Sequence, residues 1–383
     1  MNELIINLGY VIYGEDFKVL RDCHVTIDSD GIISEVGYGF LGGYNTINMY
    51  GDVAIPRFVN SHVHVADYSF LDQGVNLSLE ELVEEPNGLK YRLLSRLSPE
   101  MFKKRTTGLL KELLKQGTYA ICDFREGGLK WCSNAYEIKQ RFREVKYLIY
   151  GMPVSKDPNE LSKELSLLRD YVDGVAISTP TYYSVEFLKV LGKEVRSLGL
   201  KLMTHIAETL KVRESMDLEL AMNYLKPNAV VHGTYLSKDD LELLKSKGIT
   251  LIICPRANAW FKVGLPPLKD IYELGINVGL GTDNCGWNKP DLWREIEFLI
   301  YLLRIKLNFT DWIWVLKALT ITPSKLLDVE PPLIREGLKA NFMILNGDLL
   351  GVPYSGDVLL TILKRGSSEY VKAVLTDGVL RYV

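Results

Sequence analysis

The chain has 383 residues, 47% of them hydrophobic and 24% charged, with a formal net charge of −3. That length suits an α/β barrel with a small appendage, and the composition excludes the disordered and collagen-like classes. The charge balance and a pI near 6.1 give no electrostatic footprint for nucleic acid or an anionic membrane, so a small molecule is the expected partner.

The N-terminal stretch MNELIINLGYVIYGEDF is acidic and lacks a basic n-region, and no apolar run reaches the roughly 18 residues needed to cross a bilayer. A cytoplasmic protein without a membrane partner is expected. The cysteines (Cys23, Cys122, Cys132, Cys254, Cys285) form no C-x-x-C pair, so they read as buried thiols and not as a disulfide or zinc-ribbon framework. Short apolar strands and turns alternate first, over Glu3–Ile12, Cys23–Ile27 and Gly31–Val36. From about Ile55 the pattern becomes β-rich runs separated by amphipathic charged stretches, as in repeated βα units around a parallel sheet.

Eight strands are predicted: Phe58–Val63, Thr118–Asp123, Tyr147–Met152, Val175–Ser178, Lys201–His205, Ala229–His232, Ile249–Cys254 and Val278–Gly281. Helical stretches at Leu161–Tyr171, Val185–Leu198 and Lys238–Lys247 lie between several of them, and two more follow at Asp291–Leu307 and Trp312–Leu327. The tail returns to β-like runs at Ala340–Leu345, Asp357–Leu363 and Tyr370–Thr376. The expected architecture is a (β/α)8 barrel over residues 55–332. Residues 1–54 and 333–383 together would build a second, β-rich domain.

Four of the five histidines, His62, His64, His205 and His232, fall at or just past predicted strand ends, where the catalytic groups of such barrels cluster. His62 and His64 are separated by one residue, so on a strand both imidazoles project from one face and can share an ion. Alone, His-x-His is more often two packing residues. Glu208 lies three residues past His205, where a loop can return its carboxylate over the barrel mouth; a helix-start carboxylate is the plainer alternative. His232 ends the sixth strand before Gly233, and Asp283 lies in a polar turn ending the eighth. The joint order His-x-His, His-x-x-Glu, His, Asp points to a metal-dependent site.

The segments IPRFVNSHVH (55–64), THIAET (204–209), VVHGT (230–234), ICPRAN (253–258), LGTDN (280–284) and ALTITPSKLL (318–327) resemble the amidohydrolase superfamily. The branch concerned contains the cytosine, guanine and S-adenosylhomocysteine deaminases and the triazine chlorohydrolases. The resemblance spans nearly the whole chain. It implies a (β/α)8 barrel beside a β-sandwich built from both termini, with one divalent metal, zinc first and iron second, held by His62, His64, His205 and Asp283.

Three features depart from the family pattern. Arg57 stands where glycine is usual, with only a local effect expected. The fourth strand runs Ser178-Thr-Pro-Thr-Tyr-Tyr183, without the substrate-contacting histidine of many related deaminases, which puts their particular substrates in doubt. It also lacks the lysine that two-metal branches carboxylate, so one ion is expected. Gly37-Tyr-Gly-Phe-Leu-Gly42 fits G-x-G-x-x-G but is followed by turn and strand instead of the helix a dinucleotide site requires. Tyr68, Trp260 and Trp287 fall in loops expected to border the mouth, where they could stack on a planar heterocycle, cap the core or meet another copy of the chain. Assembly into a homo-oligomer stays open.

The expected reaction is hydrolytic attack on a carbon–nitrogen bond other than a peptide bond. Asp283 takes the water proton, Glu208 acts as general acid and base, and His232 orients the nucleophile or stabilises oxyanion charge. Two other readings stand beside it, a ring-opening or dehalogenating hydrolase and a silent barrel kept as an assembly protein. Ammonia release and metal content separate them.

Overall fold

The structure is a computed structural model, and it describes residues 3–383. In chain order the strands are β1 (Leu4–Tyr13), β2 (Lys18–Ile27), β3 (Ile33–Tyr38), β4 (Thr46–Pro56), β5 (Phe58–His64), β6 (Thr118–Arg125), β7 (Lys146–Gly151) and β8 (Gly174–Ile177). They continue as β9 (Lys201–Ile206), β10 (Ala229–His232), β11 (Thr250–Ile253), β12 (Val278–Leu280), β13 (Asp283–Asn284), β14 (Phe342–Leu345), β15 (Val371–Thr376) and β16 (Val379–Tyr382).

Two sheets result. Strands from both termini join in one seven-stranded sheet, ordered β16-β15-β14-β4-β1-β2-β3. One of its faces buries Ile6, Leu8, Val25, Phe342 and Ile344, the alternate residues that period-2 side-chain geometry sends to one side. The other sheet is parallel throughout and ordered β12-β11-β10-β9-β8-β7-β6-β5-β13. β5 and β6 are buried along their full length, as parallel strands covered on both faces must be. The sheet curls until its two edges, β12 and β13, are neighbours in the chain. Gly281 N donates to Ile253 O at 3.0 Å on one side, and Thr282 N donates to His62 O at 3.0 Å on the other.

Several expectations need correction. Asp357–Leu363, read as strand, is the helix Val358–Arg365: Asp357 caps it through Leu360 N, its buried face is Val358, Ile362 and Leu363, and Lys364 and Arg365 complement its last turn. The stretch Trp312–Leu327 is two helices, Trp312–Leu319 and Ile321–Leu327, meeting at Thr320. β16 went unread. So did an insertion between β5 and β6 made of helices α1 (Leu79–Val83), α2 (Leu89–Ser95) and α3 (Pro99–Lys115). Its signals were present: a capping box pairs Ser78 with Glu81, and Ser98 caps α3 ahead of Pro99.

Arg57 does more than a local job. Its buried guanidinium donates to Leu375 O at 3.1 Å and Thr376 Oγ1 at 2.8 Å in the terminal sheet, and to Glu144 O at 2.8 Å before β7. The glycine-rich run ends β3 and leads through a loop into β4 with no helix after it, so it carries no nucleotide-binding geometry. Among the described residues no helix is long and apolar enough to cross a membrane.

Candidate active site

Parallel strands place all their C-terminal ends at one rim, so residues far apart in sequence converge there. His62 and His64 end β5, His205 lies on β9, His232 closes β10 and Asp283 opens β13. His62 Nε2 lies 3.4 Å from His205 Nε2 and 3.2 Å from Asp283 Oδ1. His64 Nε2 is 3.5 Å from the same Asp283 oxygen. Glu208 stands across from His232, with 3.7 Å between Oε1 and Nε2.

The backbone is bent to hold this arrangement. His232 and Asp283 sit at φ +74° and +59°, and Ala207, between His205 and Glu208, at +50°. Left-handed conformations cost non-glycine residues roughly 1–3 kcal/mol each and collect at functional sites. Asp217 holds one of these bends, accepting from the Ala207 and Leu218 backbone amides. Asn258 fixes His232: its Oδ1 lies 2.9 Å from His232 Nδ1, and its Nδ2 donates to Thr234 Oγ1 at 2.6 Å. With Nδ1 engaged by Asn258, Nε2 is the nitrogen that faces Glu208.

Residues 53–380 match the amidohydrolase family. This chain belongs to that family. It is 30% identical over 375 residues to an uncharacterised protein of Methanocaldococcus jannaschii, covering 92% of this chain and 93% of the relative. It is 26% identical over 370 residues to the 5-methylthioadenosine/S-adenosylhomocysteine deaminase of Pyrococcus furiosus, covering 90% and 86% respectively. Its fold is similar to that of an adenosine deaminase from Xanthomonas campestris crystallised with bound zinc, with a TM-score of 0.86 at 20% identity over 99% of this chain and 93% of that one.

The donor set of this amidohydrolase fits a divalent ion. Ligand atoms around a tetrahedral ion with bonds of 2.0–2.1 Å stand about 3.3 Å apart, and three of the six pairs here, His62–Asp283, His62–His205 and His64–Asp283, stand at 3.2, 3.4 and 3.5 Å. Burial pushes the His62 imidazole down to about 4 and, with the neighbouring imidazoles, holds His205 well below its usual value, so both present lone pairs at neutral pH. Burial works against an ionised Asp283, but His62 outweighs it and keeps that carboxyl below the usual carboxylate range. Burial raises Glu208, with His232 opposing and Asp283 adding to the shift. A carboxyl raised in this way is suited to carry a proton.

A cleft opens over these groups. The three aromatic residues expected at its mouth are not among those lining it. Trp287 is buried between Phe70 and Phe261 and donates its indole N–H to Gln73 O at 2.7 Å. The Tyr68 ring packs under the Arg105 guanidinium at 4.6 Å, and Trp260 is an exposed residue at the end of the helix Pro255–Trp260. Tyr91 and Tyr182 line the cleft instead, with Leu79 and Val83 of α1.

Sequence reasoning also missed a buried charged group in the same wall. Lys90 on α2 sits 2.5 Å from Glu126 Oε1 and 3.2 Å from Asp67 Oδ2, and Glu126 Oε1 is 2.6 Å from His64 Nδ1. Burial alone would raise the Glu126 carboxyl, but Lys90, His64 and Arg125 hold it well below its ordinary value.

Proposed function

We propose that this amidohydrolase holds one divalent ion, zinc in the first instance and iron(II) in the second, through His62, His64, His205 and Asp283. With it the enzyme deaminates an amino-substituted heterocycle or nucleoside-like small molecule. The observation carrying this reading is the convergence of His62, His64 and His205, with a second overlapping group of His62, His232 and Asp283, each with ligand atoms within 4.8 Å of one another. β8 contributes no lysine, which favours a single ion. When bound, the ion supplies a Lewis acid that makes hydroxide available near neutral pH.

The side chains then divide the remaining work. Asp283 accepts the water proton. Glu208, raised by burial, delivers a proton to the ring nitrogen or leaving amine and takes one back. His232, its Nδ1 committed to Asn258, accepts from the nucleophile through Nε2 and fixes its line of approach. Deaminase relatives favour a carbon–nitrogen bond over the halide-releasing and ring-opening readings, and a silent barrel fits poorly with a filled acid, base and ligand set.

The same reading takes the curled sheet as a closed (β/α)8 barrel of residues 55–332 whose eighth strand is split at Gly281–Thr282. Residues 1–54 and 333–383 would form the accompanying β-sandwich domain. The five cysteines are free and buried, which suits a reducing cytoplasm.

The experiment is a screen of the zinc- or iron(II)-loaded protein for ammonia release from aminopyrimidines, aminopurines and their nucleosides. Metal-dependent ammonia release is expected. Folded, loaded protein that releases none, or that yields only halide or ring-opened product, would overturn the proposal.

A further inference from the structure

We infer that Glu126 and Lys90 are positioning residues that aim His64 at the metal and tie helix α2 to the ligand set. The inference rests on the reading above, in which His64 is a ligand. A carboxylate only accepts hydrogen bonds, so the 2.6 Å contact between His64 Nδ1 and Glu126 Oε1 places the ring proton on Nδ1. Nε2, 3.5 Å from Asp283 Oδ1, is the nitrogen that faces the cluster, and in the neutral ring it carries the lone pair. Glu126 Oε2 is fixed in turn by the Arg125 guanidinium.

The chain of contacts runs on from Glu126 and returns to the site. Lys90 Nζ bridges Glu126 and Asp67, and Asn284 Nδ2 donates to Asp67 Oδ2 at 2.8 Å. Asn284 follows Asp283. The path His64, Glu126, Lys90, Asp67, Asn284 therefore starts at one proposed ligand and ends beside another.

All the members are buried, Lys90 to 3% and Asp67 to 0% exposure. Buried ion pairs are weak contributors to net stability, so a lysine sunk from a seven-residue helix is better explained by what it positions. His62 differs, since its Nδ1 has no hydrogen-bond partner among the described residues. Partners behind a metal-binding imidazole set its tautomer and basicity, and losing one typically weakens metal affinity about 10–100-fold.

The test is titration of metal-free protein with cobalt(II), followed by visible absorption. Glu126→Gln should weaken cobalt binding about 10–100-fold and alter the absorption bands. Lys90→Gln should move both in the same direction and Lys90→Arg should restore most of the loss, while Lys103→Gln, in a surface pair with Glu137, should change neither. Glu126→Gln with affinity within about twofold of wild type and an unchanged spectrum would overturn the inference. If that variant does not fold, Lys90→Gln with wild-type affinity and spectrum would overturn it equally. His64→Ala separates the two levels: weak binding by this variant alone defeats only the positioning role, whereas wild-type affinity defeats the ligand assignment and the inference with it.

Discussion

The two ends of the parallel strands are built on opposite principles. At the N-terminal end Arg57 is fully buried, and although its Nε has no partner among the described residues, both terminal nitrogens of its guanidinium find acceptors, in the terminal sheet on one side and beside β6 and β7 on the other. At the C-terminal end burial holds the His62 imidazole neutral, His232 and Asp283 adopt left-handed backbone, and the ligand atoms of His62, His64 and His205 face one another. Hydrogen bonds from one side chain to both sheets fasten the first end. At the second, strained backbone around a cluster of facing ligand atoms suits a ligand, the division expected of parallel α/β folds.

If that contrast is right, substitutions at the two ends should separate stability from chemistry. The largest effect belongs to His62→Ala. Removing an imidazole from the shared cluster should abolish measurable turnover and reduce bound metal together, with partial return of both at high metal concentration. Elemental analysis beside steady-state rates checks it, and full metal occupancy in this variant would break the ligand assignment.

Glu208→Gln comes next. The amide keeps the shape but cannot give and recover a proton, so kcat should fall roughly 10²–10⁴-fold while metal content holds. Near wild-type kcat, or loss of metal, would contradict the proton-transfer role.

At the other end Arg57→Met should cost about 2–4 kcal/mol, because the carbonyls of Thr118, Glu144 and Leu375 lose their donor while buried. Denaturant midpoints measure this, and the metal-loaded variant should keep its kcat within about threefold. A loss below about 1 kcal/mol would show that the two sheets are not fastened there. The smallest effect is expected from Trp260→Ala, which should leave kcat/KM within about threefold because that indole is exposed and does not line the cleft.

The reacting end was the more legible in the sequence. His62, His64, His205, His232 and Asp283 each sit on or beside a short strand bounded by turn residues, so locating the strands located them as well. Lys90 could not be found that way: its partner Glu126 follows β6, and only the folded chain brings α2 beside it. The helix Val358–Arg365 was misread because a short apolar run fits either period, although its Asp357 cap and terminal Lys364-Arg365 favoured helix. Loop position brought Trp287 into consideration without revealing that its indole turns inward to Gln73.

The most direct measurement is the number of transition-metal ions retained per chain after loading with zinc and removal of the excess. One shared cluster of three imidazoles and a carboxylate, with no lysine on β8 to hold a second ion, predicts a value close to one. Two tightly held ions, or none under any loading condition, would contradict the account.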